Sequence, residues 1–294
     1  MNTSMMNALS TMQALQRKMD QIADHMANLN TPGYKRSDVS FKDILTTVQN
    51  QPREANLEGR LTPPGLTIGW GSQIAATRLD FSQGDIRETG VETDIAIVGQ
   101  AMLQIQYEER DENGNFVLDE EGNLIVHEYY TRNGALQYAV TPDNPNTVFL
   151  AVYDGTLLRD AETGEYIQFP AHHKLEIKED GTVWAWDPVR TEHPPIYAGR
   201  LPLFHIIQPQ SLEKIGEHRY ALPEGVQQPE RMIAPVNWQD PGAVAVKQRH
   251  LEHSNVDLAH ELTELISVQR AYQLNARAIT SADTMMGLAN NLRG

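Results

Sequence analysis

The sequence predicts an α+β protein whose N- and C-terminal helices pair as a coiled coil beside a central, mainly-β domain. Three observations carry this prediction. Apolar residues recur every seven positions at both ends, the middle alternates apolar and polar residues with a period of two, and turn-forming residues mark where one pattern replaces the other. The 294 residues are enough for one large or two modest domains, and 40% hydrophobic with 21% charged residues is ordinary for a folded chain.

The first helix is read from Met5, Met12, Met19 and Met26 in one heptad position, with Ala8, Leu15, Ile22 and Leu29 three residues later. Such a seam suits packing against other helices, and the flexible methionines tolerate varied partners. It equally suits a helix docked on its own domain. The pattern stops at Asn30-Thr31-Pro32-Gly33-Tyr34-Lys35. Thr31 precedes proline and is pushed out of the α region, so the helix must end before it. Asn30 is a reasonable C-terminal cap, and Pro32 and Gly33 fit the two central positions of a type II turn, where glycine enters positive φ without strain. Tyr34, Lys35 and Arg36 are then expected to be exposed to a neighbour or to the last helical carbonyls.

Residues 37–85 are mixed and rich in loop residues, with Pro52, Pro63 and Pro64, and predict a linking segment with little regular structure. From Thr93 the runs DIAIVG, AMLQIQYE, NFVLDEEGN, LIVHEYYTR, TVFLAVYDG, KLEIKEDGTVWAW and LPLFHIIQ alternate with turns and predict a mainly-β outer domain over 86–249. The tandem DENGNFVL and DEEGNLIV at 111–126 predict a projecting hairpin.

The last helix is read from Leu258, Leu265, Tyr272, Ile279 and Met286, seven apart, with Leu262 and Val268 widening the stripe. Ser254 stands three residues before Asp257, a capping-box spacing. Some 35 residues give a helix of about 50 Å, too long for a small domain to cover. Its natural partner is the first helix. Residues 1–36 and 250–294 therefore form one helical assembly domain. Two stripes this wide imply further helices from other copies, and ends that order only on assembly.

Charge excludes several functions. The net charge is −15, the two ends are nearly neutral, and the middle carries 17 net negative charges, which repels nucleic acid. The absence of cysteine removes disulfides, thiolate nucleophiles and cysteine-ligated zinc. No run approaches the roughly 20 apolar residues of a membrane span, and MNTSMMNALS lacks the features of a cleaved signal, so export would need another route.

Candidate chemistry is thin. His253, Asp257 and Glu264 could share a helical face as a metal site, but His260-Glu261 is followed by Glu264 where a metalloprotease motif needs histidine. His172 and His173 in a strand would point to opposite faces. Trp184 and Trp186, alternating in a strand, could form a sugar platform or pack against same-facing neighbours. Phosphate-cradle, dinucleotide and serine-nucleophile motifs are missing, so neither an enzyme nor a cofactor is expected.

The stretch IADHMANLNTPGYKR resembles the amino-terminal signature of the flagellar rod and hook protein family. LEHSNVDLAHELTELISVQRAYQLNARAI is similar to its carboxy-terminal signature, with Ser254, Asn255, Val256, Asp257, Gln269, Arg270, Ala271 and Tyr272 in place. TDIAIVG, YTRNGALQ and LPLFHIIQPQSLEKIGEHRY are similar to motifs of the family's middle region. Where the family commonly has Gln-Gly before Leu251, this chain has Gln248 followed by Arg249 and His250, and the acidic insert at 108–128 is unusual. The resemblance implies a structural subunit of distal-rod length. It would leave through the flagellar export apparatus, then polymerise with itself and with other rod and hook proteins into a hollow, torque-transmitting rod. A hook-type axial protein and a secreted carbohydrate-binding module are the rival readings.

Overall fold

The first helix, α1, spans Asn2–Ala27 in the computed structural model of this chain. The structure describes residues 2–43, 46–49, 66–69, 71–108, 126–141, 144–189, 194–216, 218–223, 225, 228–238 and 244–292. Pro52, Pro63, Pro64 and the tandem repeat up to residue 125 lie outside the described residues. α1 ends before Leu29 and Asn30, which belong to the following turn instead of completing the heptad and capping the helix. The cause is local: Thr31 donates its N–H to the Asn28 carbonyl at 3.2 Å and its hydroxyl to Asn28 Oδ1 at 3.2 Å, a turn that competes with the helical ladder.

The last helix, α2, spans Leu258–Asn291, 34 residues. Its cap is Asp257, not Ser254: Asp257 Oδ1 accepts the N–H groups of Ala259 at 2.9 Å and His260 at 3.4 Å. A carboxylate there satisfies the first-turn donors and meets the positive end of the helix dipole, which a serine three residues earlier cannot reach.

The chain divides into two units. One comprises Met1–Ala27, Ser37–Asp80 and Val256–Gly294. In it α1 and α2 pack together and run antiparallel, with Lys18 beside Glu264 and His25 beside Glu261. The described residues between 37 and 79 are mostly in strands instead of irregular as expected. Ser37–Asp43 pairs antiparallel with Ser72–Leu79, and Thr46–Gln49 with Leu66–Gly69. Sequences such as SQIAATRL show no clean alternation because the two-stranded ribbon has no buried face demanding one; Ser72–Leu79 is largely exposed.

The other unit comprises Asn28–Arg36 and Phe81–Asn255. Its six-stranded antiparallel sheet runs, in spatial order, Glu213–Gly216, Arg219–Ala221, Val126–Thr131, Ala101–Glu108, Leu203–Ile206 and Ile233–Pro235. Two three-stranded sheets accompany it, Gln168–Pro170 with Thr147–Val152 and Leu136–Val140, and Lys174–Ile177 with Thr182–Trp186 and Ile196–Arg200. Ile95–Gly99 pairs with Val244–Gln248, and Ile86–Glu88 with His250–Glu252. Alternation places residues such as Ile97, Leu103, Leu150, Leu175 and Val183 in one continuous apolar core. His172 and His173 precede the strand Lys174–Ile177 instead of sitting in it, because the chain turns at Ala171-His172.

Candidate assembly site

Two clusters, one in each unit, gather the residues that the sequence singles out. The first surrounds the corner in the second unit. Gly33 has φ of +70°, and Tyr34 donates its N–H to the Thr31 carbonyl at 3.4 Å, as a turn centred on Pro32-Gly33 requires. Space makes a second demand: a Cβ on Gly33 would lie 2.5 Å from Asn133 N and 2.6 Å from Arg132 C. The corner thus packs backbone to backbone on the YTRNG stretch.

Tyr34 and Lys35 are buried, contrary to the expectation that they face outward. The Tyr34 ring meets His218 edge-on at 5.7 Å and carries Lys214 Nζ at 4.7 Å. Lys35 Nζ donates to Glu252 Oε1 at 2.6 Å and to the Ser82 carbonyl at 2.7 Å. Arg132 donates Nε to Glu252 Oε2 at 2.7 Å and its terminal nitrogens to the carbonyls of Ala101 and Ile97 at 2.7 and 2.9 Å. Glu252 also accepts the Gly84 N–H at 2.9 Å, and its own carbonyl accepts the Gly33 N–H at 2.8 Å. Burial alone would raise the Glu252 carboxyl, but Arg132 and Lys35 outweigh it and hold the group below its ordinary range. One carboxylate between two buried cations therefore ties together four distant stretches of chain. Asn255 joins them, accepting the Arg36 N–H at 2.8 Å and donating to Ser82.

The second cluster is the helix pair of the first unit. Ile22 is buried, while Met5, Met12, Leu15, Met19 and Met26 are half-buried, as is Leu29 in the turn beyond α1. On α2, Leu265, Tyr272, Ile279 and Met286 are half-buried, and Leu258 and Leu262 are each 41% exposed. Among the described residues only Glu261 and Val268 of α2 are buried. Val256 is buried, Ser254 and Asn255 are half-buried, and Asp257, Gln269 and Arg270 are exposed. Further apolar side chains on the same helix, Leu274 and Leu288 at 64% and Met285 at 56%, also face out.

Sequence reading missed Arg132 and Glu252 as partners, and Lys18, His25 and Glu261 as buried residues. Lys18 and His25, seven apart, did carry a signal, because they keep the helix heptad that buries them. Glu252 carried no such signal: it ends the short strand His250–Glu252, in which only Leu251 is apolar.

The remaining candidates are taken up elsewhere. Glu264 lies 3.0 Å from Lys18 Nζ, and no group of three or more potential ligands gathers as a metal site among the described residues. Lys178 Nζ sits 4.5 Å over the Trp184 ring, Tyr197 meets that ring edge-on at 5.4 Å, and Lys174 Nζ lies 5.8 Å from the Trp186 ring. One face of the Trp184 ring, on which a sugar could stack, thus carries a lysine of the chain itself. No helix among the described residues is long and apolar enough to cross a membrane.

Comparison with known proteins converges on these same two ends. A family model described as flagella basal body rod protein matches residues 5–35, and one described as flagellar basal body rod FlgEFG protein C-terminal matches residues 247–292. The chain is similar to the flagellar hook-basal body complex protein FlhP of Bacillus subtilis, 32% identical over 99% of each chain. It is 30% identical to the flagellar basal-body rod protein FlgG of Borreliella burgdorferi, over 100% of this chain and 99% of that one. To the FlgG of Buchnera aphidicola subsp. Baizongia pistaciae it is 31% identical, over 95% of each.

Proposed function

This chain belongs to the flagellar basal-body rod protein family, and from that membership we infer that it is a structural subunit of the rod in the bacterial flagellar basal body. We propose further that it occupies the distal rod, polymerises with copies of itself into a helical tube, abuts other rod and hook proteins, and transmits torque to the hook. In this proposal the subunit reaches its place through the flagellar export apparatus and catalyses no reaction. The helical ends pair as coiled-coil staves of the tube, and residues 37–85 link them to the mainly-β body of 86–249.

The observation that carries this reading is the state of α2. A helix of 34 residues spans about 51 Å, yet among the described residues it buries only Glu261 and Val268 and leaves Leu258, Leu262, Leu274, Met285 and Leu288 exposed. Water disfavours so much apolar surface, and neighbouring copies would cover it at about 25 cal/mol per Å².

The test is Leu265→Glu, with Met19→Glu as its counterpart on α1. Each would place an unpaired carboxylate in the assembled interface at a cost of several kcal/mol, but in the lone subunit both sites are partly wet. Rods should vanish from isolated basal bodies while secreted subunit persists, and the exposed control Gln273→Glu should swim. Normal swimming by both stripe variants would overturn the reading.

A further inference from the structure

The seam between α1 and α2 buries Ala8 and Ile22 of the predicted heptads, but it is not wholly apolar. On α1 the buried side chains, among the described residues, are Ala8, Ala14, Lys18, Ile22 and His25, so two of the five are polar. Lys18 Nζ lies 3.0 Å from Glu264 Oε1 and 3.2 Å from Asp38 Oδ1. His25 Nδ1 lies 3.2 Å from Glu261 Oε2, and both side chains are at most 1% exposed. The Ser37 N–H donates to His25 Nε2 at 3.2 Å, so that nitrogen is the acceptor and a neutral ring carries its proton on Nδ1, facing the carboxylate.

These contacts are a poor way to hold two helices together and a good way to choose between helices. Apolar pairs of the same size would bind at least as firmly, because taking a lysine and a carboxylate out of water offsets most of their attraction. A polar residue at a buried seam position instead penalises every wrong partner, as buried polar residues do when they fix register in coiled coils. Any helix that lacks a carboxylate at the right height would leave Lys18 dehydrated with only the exposed Asp38 as its counter-ion. Glu261 and Glu264, three apart, stand on one face of α2 and supply that match. The apolar rows, Met5, Met12, Met19 and Met26 on α1 and Leu258, Leu262 and Ile266 on α2, lie beside this seam and are half-buried or exposed.

We propose that Lys18–Glu264 and His25–Glu261 select α1's own α2 as its partner. In a homopolymer crowded with identical helices the intramolecular pair then persists, and the flanking apolar rows are left for a second copy of this chain. The inference rests on the rod-subunit reading above.

Complementation tests it in cells whose own copy of the gene is deleted. Lys18→Glu or Glu264→Lys alone places like charges in the seam and should reduce completed rods and swimming cells roughly tenfold or more. Both changes in one chain should return swimming to within about threefold of wild type, since exposed Asp38 adds only weak repulsion. Co-expressing the two single variants should not rescue, because each chain still carries its own clash. Rescue by the mixture, or wild-type swimming by either single variant, overturns the selection proposal. If the double variant is secreted at wild-type level and its second unit unfolds normally by tryptophan fluorescence, yet swimming is not restored, the proposal also fails. A deletion strain that still builds complete rods would instead sink the rod-subunit reading itself.

Discussion

Replacing Glu252 with glutamine changes almost no volume and removes the one negative charge between two buried cations. Lys35 and Arg132 are 0% and 2% exposed at their side chains, and in the variant both would keep their carbonyl partners but lose the counter-ion. Removing one member of a buried ion cluster typically costs 3–5 kcal/mol, because the remaining charge stays dehydrated. Against a total domain stability of about 5–15 kcal/mol, that loss leaves the second unit marginal and lowers its melting temperature by roughly 10 °C. Unfolding of the full chain can be followed by fluorescence, since Trp184, Trp186 and Trp238 all belong to this unit. The pH dependence gives a second reading. The folded carboxyl is held below its ordinary range, so its contribution is present above the unfolded value and is lost as pH falls through the depressed one. The gap between wild type and Glu252→Gln should therefore close under acid. A variant that melts within about 1 °C of wild type at neutral pH would refute the reasoning, whatever its behaviour in acid.

Gly33→Ala should destabilise the second unit by about 2 kcal/mol or more, since it adds left-handed strain and a Cβ 2.5 Å from Asn133 N; an unchanged urea midpoint would count against it. Arg249 stands after Gln248, where the family commonly has glycine, and its φ is +62°. Arg249→Gly should relieve about 1 kcal/mol of strain, partly offset by the freedom glycine gains when unfolded, so a small rise in melting temperature is expected and a fall would refute it. Burial first, and the Glu128 charge second, push the Tyr130 phenol up to about 12. A group raised in the folded state contributes stability that is present below its unfolded value near 10 and is lost as pH climbs toward 12, so Tyr130→Phe should flatten the alkaline limb of a stability profile.

Much of this protein was written in one dimension. Heptads at the two ends are a property of local spacing, so both long helices, and the turn at Gly33, could be read without any partner. The core strands of the β body were legible because burial on one face imposes a period of two, as in Lys174–Ile177, where Leu175 and Ile177 point inward. The pairing of Ser37–Asp43 with Ser72–Leu79 was not, because a ribbon that stays largely exposed needs no alternating apolar face. What only the tertiary structure decided is the company that charges keep. Lys35 reads as a surface cation after a turn, and Glu252 lies 217 residues away. Nothing local pairs them, and each becomes tolerable inside the protein only because the fold brings the other, with Arg132, to within hydrogen-bonding distance. Lys18 and His25 follow the same logic. Their heptad spacing says that they face a partner, but only the fold shows that the partner answers with carboxylates.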